Sequence, residues 1–380
     1  FPSNGNLVTG PLPDSNFLQV LRPYQVEAFK WLRMLAKFGF GGILADDMGL
    51  GKTLEIISFL ASDTIKKPTL IVCPMSLIYN WENECVKWNL DIPVRLVIGS
   101  ALEREEIIQQ IDFDQKAIYI TSYDSLRRDV EHYKKEFRFI VADEAQYIKN
   151  QNALKSAAIK QLKSQMNFAL TGTPIENGLA DLWSIFDYLM PGYLASYSRF
   201  KSRYEALILH DDQETLEVLK KRVQPFILRR TKKDVLKELP EKSEEIYYCR
   251  MDDKQEEIYH TYVERIKHTL KNNGKDILSL ITRLRQICIT PELIFNESFS
   301  SAKLNLALEL IQRAIASNHR ILVFSQFSSV FPILASMLDA EEIPYFILDG
   351  KTKSLERMEL ADSFNSNPNI KVFMISLKAG

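Results

Sequence analysis

Short apolar runs rich in β-branched residues recur at 41–45, 70–73, 95–98, 117–121, 139–142 and 168–170. Between them lie stretches at 21–38, 53–61, 76–88, 101–111 and 152–163 whose apolar residues fall at helical spacing. That alternation is the rhythm of a doubly wound parallel-sheet α/β domain, expected to fill residues 1–177. From 178 to 240 the pattern turns helical, with Leu179, Leu182, Ile185, Phe186 and Leu189 on one face, and reads as a helical protrusion and linker. A strand-like Glu245-Ile246-Tyr247-Tyr248-Cys249 follows, then helical runs to about 297, so residues 241–300 read as a helical protrusion of a second domain. Runs at 320–327, 345–348 and 371–375 restore the alternation and place a second α/β domain at 301–380. Its 80 residues are short of the ~100–150 of a complete domain, so this lobe is expected to be the first part of a longer one. No internal repeat of ~20–50 residues is visible beyond the weak similarity that two such α/β domains share.

Composition narrows the classes. The 380 residues are 46% hydrophobic and 26% charged, with 14 Gly and 15 Pro scattered along the chain, which excludes collagen-like, low-complexity and wholly disordered readings. No apolar run approaches the ~20 residues of a membrane span. The 48 basic and 49 acidic residues give a net charge of −1, so a nucleic-acid partner must be recognised by local patches. One such patch spans 221–242, with eight basic residues against three acidic ones. Four cysteines without a C-x-x-C pair and five scattered histidines argue for reduced thiols and against zinc. Trp81, Trp88 and Trp183 fall at apolar helical positions and are expected in the core. The chain opens on Phe1 without Met or a signal-peptide pattern, as a piece of a longer protein would.

Three segments carry chemistry. Asp46-Asp47-Met48-Gly49-Leu50-Gly51-Lys52-Thr53 stands between an expected strand and an expected helix. Gly49 and Gly51 let backbone N–H groups converge on a phosphate chain, and a helix N-terminus adds its dipole. Lys52 would then reach the β/γ-phosphates and Thr53 would ligate Mg²⁺, although Asp46 occupies the position where the P-loop pattern has its first Gly. Phe139-Ile140-Val141-Ala142-Asp143-Glu144-Ala145-Gln146 is an apolar strand ending in two acids. Asp143 at such a tip can hold Mg²⁺, and Glu144 can orient or deprotonate the attacking water. The segment Ala169-Leu170-Thr171-Gly172-Thr173-Pro174-Ile175-Glu176-Asn177 follows a third strand, with small hydroxyl residues around a Gly.

In this order the three segments resemble helicase superfamily two. Further strings narrow the resemblance to the Swi/Snf-type ATPases and extend it over nearly the whole chain: Leu21-Arg22-Pro23-Tyr24-Gln25, Pro74-Met75-Ser76-Leu77-Ile78-Tyr79-Asn80-Trp81, Thr121-Ser122-Tyr123-Asp124, Phe226-Ile227-Leu228-Arg229-Arg230-Thr231-Lys232-Lys233-Asp234-Val235, Leu284-Arg285-Gln286-Ile287-Cys288, Val323-Phe324-Ser325-Gln326-Phe327, Leu348-Asp349-Gly350 and Ser376-Leu377-Lys378-Ala379-Gly380. The resemblance implies two RecA-like lobes with ATP between them and duplex DNA across them. It places Gln25 on adenine, the loop Asp47, Met48, Gly49, Leu50, Gly51, Lys52 and Thr53 on phosphates and Mg²⁺, Asp143 on the metal and Glu144 on the hydrolytic water. Gln146, Thr171, Gly172 and Thr173 would couple nucleotide state to DNA grip. Ser76, Ser325, Gln326, Gly350, Lys351 and Thr352 would touch the DNA backbone without reading sequence, and Arg229 and Arg230 match the linker between lobes. Asp47 stands where the family more often has Glu, and Gln146 where it more often has His, a variant resembling the compact bacterial and archaeal branch. The chain stops inside a motif at Gly380, ahead of the one whose arginines act on the γ-phosphate, which are expected to lie beyond it.

The implied function is an ATP-dependent translocase on double-stranded DNA that remodels or displaces bound proteins, in the bacterial cytoplasm at the nucleoid or in a nucleus. A strand-separating helicase and a nucleotide-switched module acting on a complex such as RNA polymerase are the alternatives.

Overall fold

The computed structural model describes residues 13, 15–88, 90–172, 178–235, 243–271, 277–295 and 297–377. The chain divides into two compact units, residues 1–240 and 241–380.

In the first unit, seven parallel strands form one sheet: β1 (Gly42–Leu44), β2 (Thr69–Cys73), β3 (Val94–Leu96), β4 (Ile118–Ser122), β5 (Phe137–Ala142), β6 (Ser164–Leu170) and β7 (Ile227–Leu228), in the order β3-β4-β2-β5-β6-β1-β7. Every residue of β2 and β4 is buried, as expected of apolar strands covered on both faces by helices. Phe59, from the helix Lys52–Ser62, sits 5.1 Å from Phe139 and 5.3 Å from Phe168, so the helix that follows the P-loop is anchored through the strands carrying the other two motifs. Full burial of such a ring contributes ~1.5–3 kcal/mol. The helix Leu179–Leu189 buries Leu182, Ile185, Phe186 and Leu189 in this same core, and β7 pairs beside β1 with Ile43 opposite Ile227.

The second unit has three parallel strands, β8 (Ile321–Ser325), β9 (Tyr345–Leu348) and β10 (Val372–Ser376), in the order β8-β10-β9. Leu304, Phe331, Leu334, Leu338, Val372 and Met374 form its core. The helices Asp253–Lys271 and Ile277–Ile287 are joined by Gln255, whose amide donates to the Ile287 carbonyl at 2.6 Å. The strand expected at 245–249 is absent: residues 243–250 have no regular structure, and Ile246 and Tyr248 are 76% and 88% exposed. Their alternation finds no neighbouring strand to pair with. Among the described residues, no helix is long and apolar enough to cross a membrane.

Candidate nucleotide and nucleic-acid site

The P-loop leaves the carboxyl end of β1. Gly49 and Gly51 both have φ of +86°, a conformation that glycine adopts without strain. Gly51 is the N-cap of the helix Lys52–Ser62 and no side chain caps it, leaving the first-turn N–H groups for an anion. Lys52 Nζ donates to the Asp46 carbonyl at 2.6 Å and lies 3.4 Å from that of Asp47. Thr53, on the first helical turn, is half-buried. Tyr24 Oη and Gln25 Nε2 both donate to the Leu50 carbonyl, at 2.9 and 3.0 Å, and Gln25 Oε1 accepts the Arg22 N–H at 2.9 Å. The side chain of Gln25 thus braces the loop. Met48 is 64% exposed and reaches toward Gly172, where an added Cβ would stand 3.4 Å from its Cγ.

The two acids follow β5, which is separated from β1 by β6 alone. Asp143 is buried: its Oδ2 accepts Trp81 Nε1 at 2.8 Å and its Oδ1 accepts the Glu144 N–H at 2.9 Å. Burial pushes its pKa up to about 6, and the neighbouring Glu144 charge acts in the same direction, while the Trp81 hydrogen bond and the Lys52 ammonium pull it down. Lys52 and Asp143, 91 positions apart in sequence, therefore lie within electrostatic reach. Tyr123, stacked on Tyr147 at 5.2 Å, donates to the Asp143 carbonyl at 2.7 Å. Glu144 turns through φ of +51°, and its Oε2 accepts Gln146 Nε2 at 2.7 Å. Gln146 Oε1 accepts the Thr171 hydroxyl at 3.3 Å, and the Thr171 N–H donates to the Leu44 carbonyl at 3.2 Å. One chain of contacts thus runs from the second acid to the strand bearing the P-loop. Thr173 lies outside the described residues.

The donor set suits magnesium. Thr53 offers a hydroxyl and Asp143 a carboxylate whose two oxygens each accept one hydrogen bond and keep a further lone pair. Mg²⁺ takes hard oxygen ligands, one or two from carboxylates and the rest from phosphate and water.

The contacts of two residues named from the sequence, Trp81 and Arg230, escaped sequence reasoning. Trp81 is fully buried, as expected, yet its indole N–H also holds the Asp143 carboxylate. More consequential is Arg230, the second residue after β7. Its Nε lies 3.1 Å from both carboxylate oxygens of Asp46, its Nη2 donates to Asp46 and, at 3.0 Å, to Glu55 Oε1, and its Nη1 donates to the Tyr24 carbonyl. Asp46 and Glu55 have no exposed side-chain surface. Burial pushes Glu55 up to about 8, against the downward pull of Arg230. The sequence signals for this cluster were Asp46 in the place of a glycine and Arg230 in the linker string, and neither showed that the two pair.

The remaining expected residues also sit at strand ends. Ser76 lies in the one-turn helix Met75–Leu77 after β2, and Ser325 ends β8 with its hydroxyl bonded to the Phe327 backbone. Gln326 accepts from Arg285. Gly350, Lys351 and Thr352 follow β9 in a turn organised by Asp349, which accepts the Lys351 N–H at 2.8 Å. Ser76 belongs to the first unit and Ser325 through Thr352 to the second.

The family model described as the SNF2-related domain matches residues 24–293, and the Helicase conserved C-terminal domain matches 302–380. The chain is 36% identical over 378 residues to an uncharacterized ATP-dependent helicase of Mycoplasma genitalium, covering 97% of this chain and 36% of that protein. It is 35% identical over 385 residues to the putative ATP-dependent helicase/translocase YwqA of Bacillus subtilis, covering 96% of this chain and 42% of that one. It therefore spans well under half the length of these curated relatives. A solved SWI2/SNF2 ATPase core of Sulfolobus solfataricus in complex with dsDNA superposes with a TM-score of 0.57 at 35% identity, over 98% of this chain and 80% of the other.

Proposed function

Since the chain belongs to the SNF2-related family of superfamily-two ATPases, with two RecA-like lobes, we propose that it is a motor that hydrolyses ATP to translocate on double-stranded DNA and displace proteins bound there. The observation that carries this reading is the convergence of the Lys52 ammonium and the Asp143–Glu144 pair at the carboxyl ends of β1 and β5.

The chemistry follows from that convergence. The uncapped first turn and the loop around Gly49 and Gly51 receive the phosphates, and Lys52 exchanges the Asp46 carbonyl for a phosphate oxygen. Magnesium, held by Thr53 and Asp143 with phosphate oxygens, would neutralise charge developing on the transferred group. Trp81 and the Glu144 N–H fix the Asp143 carboxylate so that it needs little reorganisation. Glu144 orients the attacking water and accepts its proton, and Gln146 passes the state of Glu144 to Thr171 at the end of β6.

Duplex DNA as the track is supported by the bound DNA of the Sulfolobus relative and by the small polar side chains at strand ends, which suit backbone contacts that are made and released without reading bases. A duplex track puts the protein where its DNA is, at a bacterial nucleoid or in a nucleus. ATP turnover of the whole protein, measured with duplex, single-stranded DNA, RNA or no nucleic acid, tests the reading. Stimulation by duplex alone is the expected result, with Glu144→Gln retaining uncleaved ATP. Equal stimulation by single strands would point to strand separation, and none at all to a nucleotide-switched binding module.

A further inference from the structure

The chain leaving the first unit is fastened to the P-loop at every second residue, Leu228, Arg230 and Lys232. The Ala45 N–H donates to the Leu228 carbonyl at 2.7 Å, the Asp47 N–H to the Arg230 carbonyl at 3.0 Å, the Arg230 N–H to Asp46 Oδ1 at 2.9 Å, and the Lys232 N–H to Asp47 Oδ2 at 3.0 Å. The two-residue ladder of β7 ends at Leu228, so beyond it the attachment consists of one backbone bond, from the Asp47 N–H to the Arg230 carbonyl, together with the side chains of Asp46 and Asp47 and the guanidinium. Arg230 carries most of that attachment. Its side chain is 11% exposed, it lies 5.1 Å over the Tyr24 ring, and its fork spans Asp46, Glu55 and the Tyr24 carbonyl. Arg229, one residue earlier, is exposed.

The connection to chemistry is short. Asp46, held by Arg230, is the residue whose carbonyl accepts Lys52 Nζ, and Tyr24, also held by Arg230, bonds the Leu50 carbonyl. When Lys52 leaves that carbonyl for a phosphate, the group it abandons is tied through one guanidinium to the chain leading out of the unit.

We propose that Arg230 is a positioning residue that makes the P-loop and connector residues 229–235 move as one body, so that nucleotide occupancy is transmitted to the connector through the Asp46–Arg230 pair. This rests on ATP being the ligand of the P-loop. A lysine cannot replace the guanidinium, because a point charge cannot fork between two carboxylates and a carbonyl. In this arrangement the departure from glycine at position 46 supplies the anchor for Arg230.

Hydrogen exchange of the whole protein, with and without a saturating non-hydrolysable ATP analogue and Mg²⁺, tests the proposal. In the parent, the analogue should slow exchange both at 46–53 and at 229–235. The triple variant Arg230→Met, Asp46→Asn, Glu55→Gln leaves no buried carboxylate unpaired. It should keep the effect at 46–53 and lose it at 229–235, and Arg230→Lys should lose at least half of it there. Protection at 46–53 with none at 229–235 in the parent, or protection at 229–235 that survives in the triple variant, overturns the proposal. Absence of protection at 46–53 in the parent would instead overturn the assignment of ATP to the loop.

Discussion

At the scale of single residues, Asp143 sets burial against charge. Its rise from an ordinary 3.8 to about 6 corresponds to roughly 3 kcal/mol at pH values above both. The folded form keeps a proton that the unfolded chain releases. The stabilising contribution of this proton is therefore complete below about pH 4 and lost as pH rises through about 6. Asn does not titrate, so in the nucleotide-free protein with chelator present, Asp143→Asn should melt higher than the parent at pH 7.5, with the gap shrinking toward pH 4. Thermal melts at the two pH values check this, and the same variant should have lost ATP turnover. The carboxylate was legible in the sequence because an apolar strand ended in it. Its partner Trp81 was legible only as a core residue, since helical spacing reports burial and says nothing about where an indole N–H points.

At the scale of elements, the loop between β1 and its helix depends on backbone shape. Gly51 has φ of +86°, and a Cβ there would run into the Gln25 amide that now braces the Leu50 carbonyl. Gly51→Ala adds ~1–2 kcal/mol of left-handed strain and displaces that brace. ATP affinity should fall on the order of tenfold or more, as a direct binding titration would show, with the secondary structure unchanged by circular dichroism. Strands β1, β2, β4 and β5 were visible as apolar runs because a parallel strand covered on both faces is apolar along most of its length, and β8 was visible although its Leu322 and Phe324 are exposed. Strand β7 was not, because two residues give no period and its role is defined by β1, nearly two hundred positions away. The opposite error at 245–249 has the same root: alternation describes a strand, but only a neighbouring strand makes one.

At the scale of the whole molecule, the net charge of −1 over these 380 residues bears on the proposed contacts to duplex DNA. Proteins that neutralise six to ten phosphates lose ~10³–10⁵ in affinity between 50 and 200 mM salt. Contacts through hydroxyls, amides and a few lysines release fewer counterions, so duplex affinity should fall by less than that over the same range, which a fluorescence titration at graded salt would measure. The pairing of β7 with β1 has another consequence, in time. Arg230 is synthesised 184 residues after Asp46, roughly 10–40 s later at ~5–20 residues per second. Throughout that interval the emerging chain holds its phosphate loop with a carboxylate that has not yet met its cation. The Asp46–Arg230 pair can form only when the segment leading to the second unit has left the ribosome, so the fastening of the loop waits for nearly all of the first unit, residues 1–240, to be made.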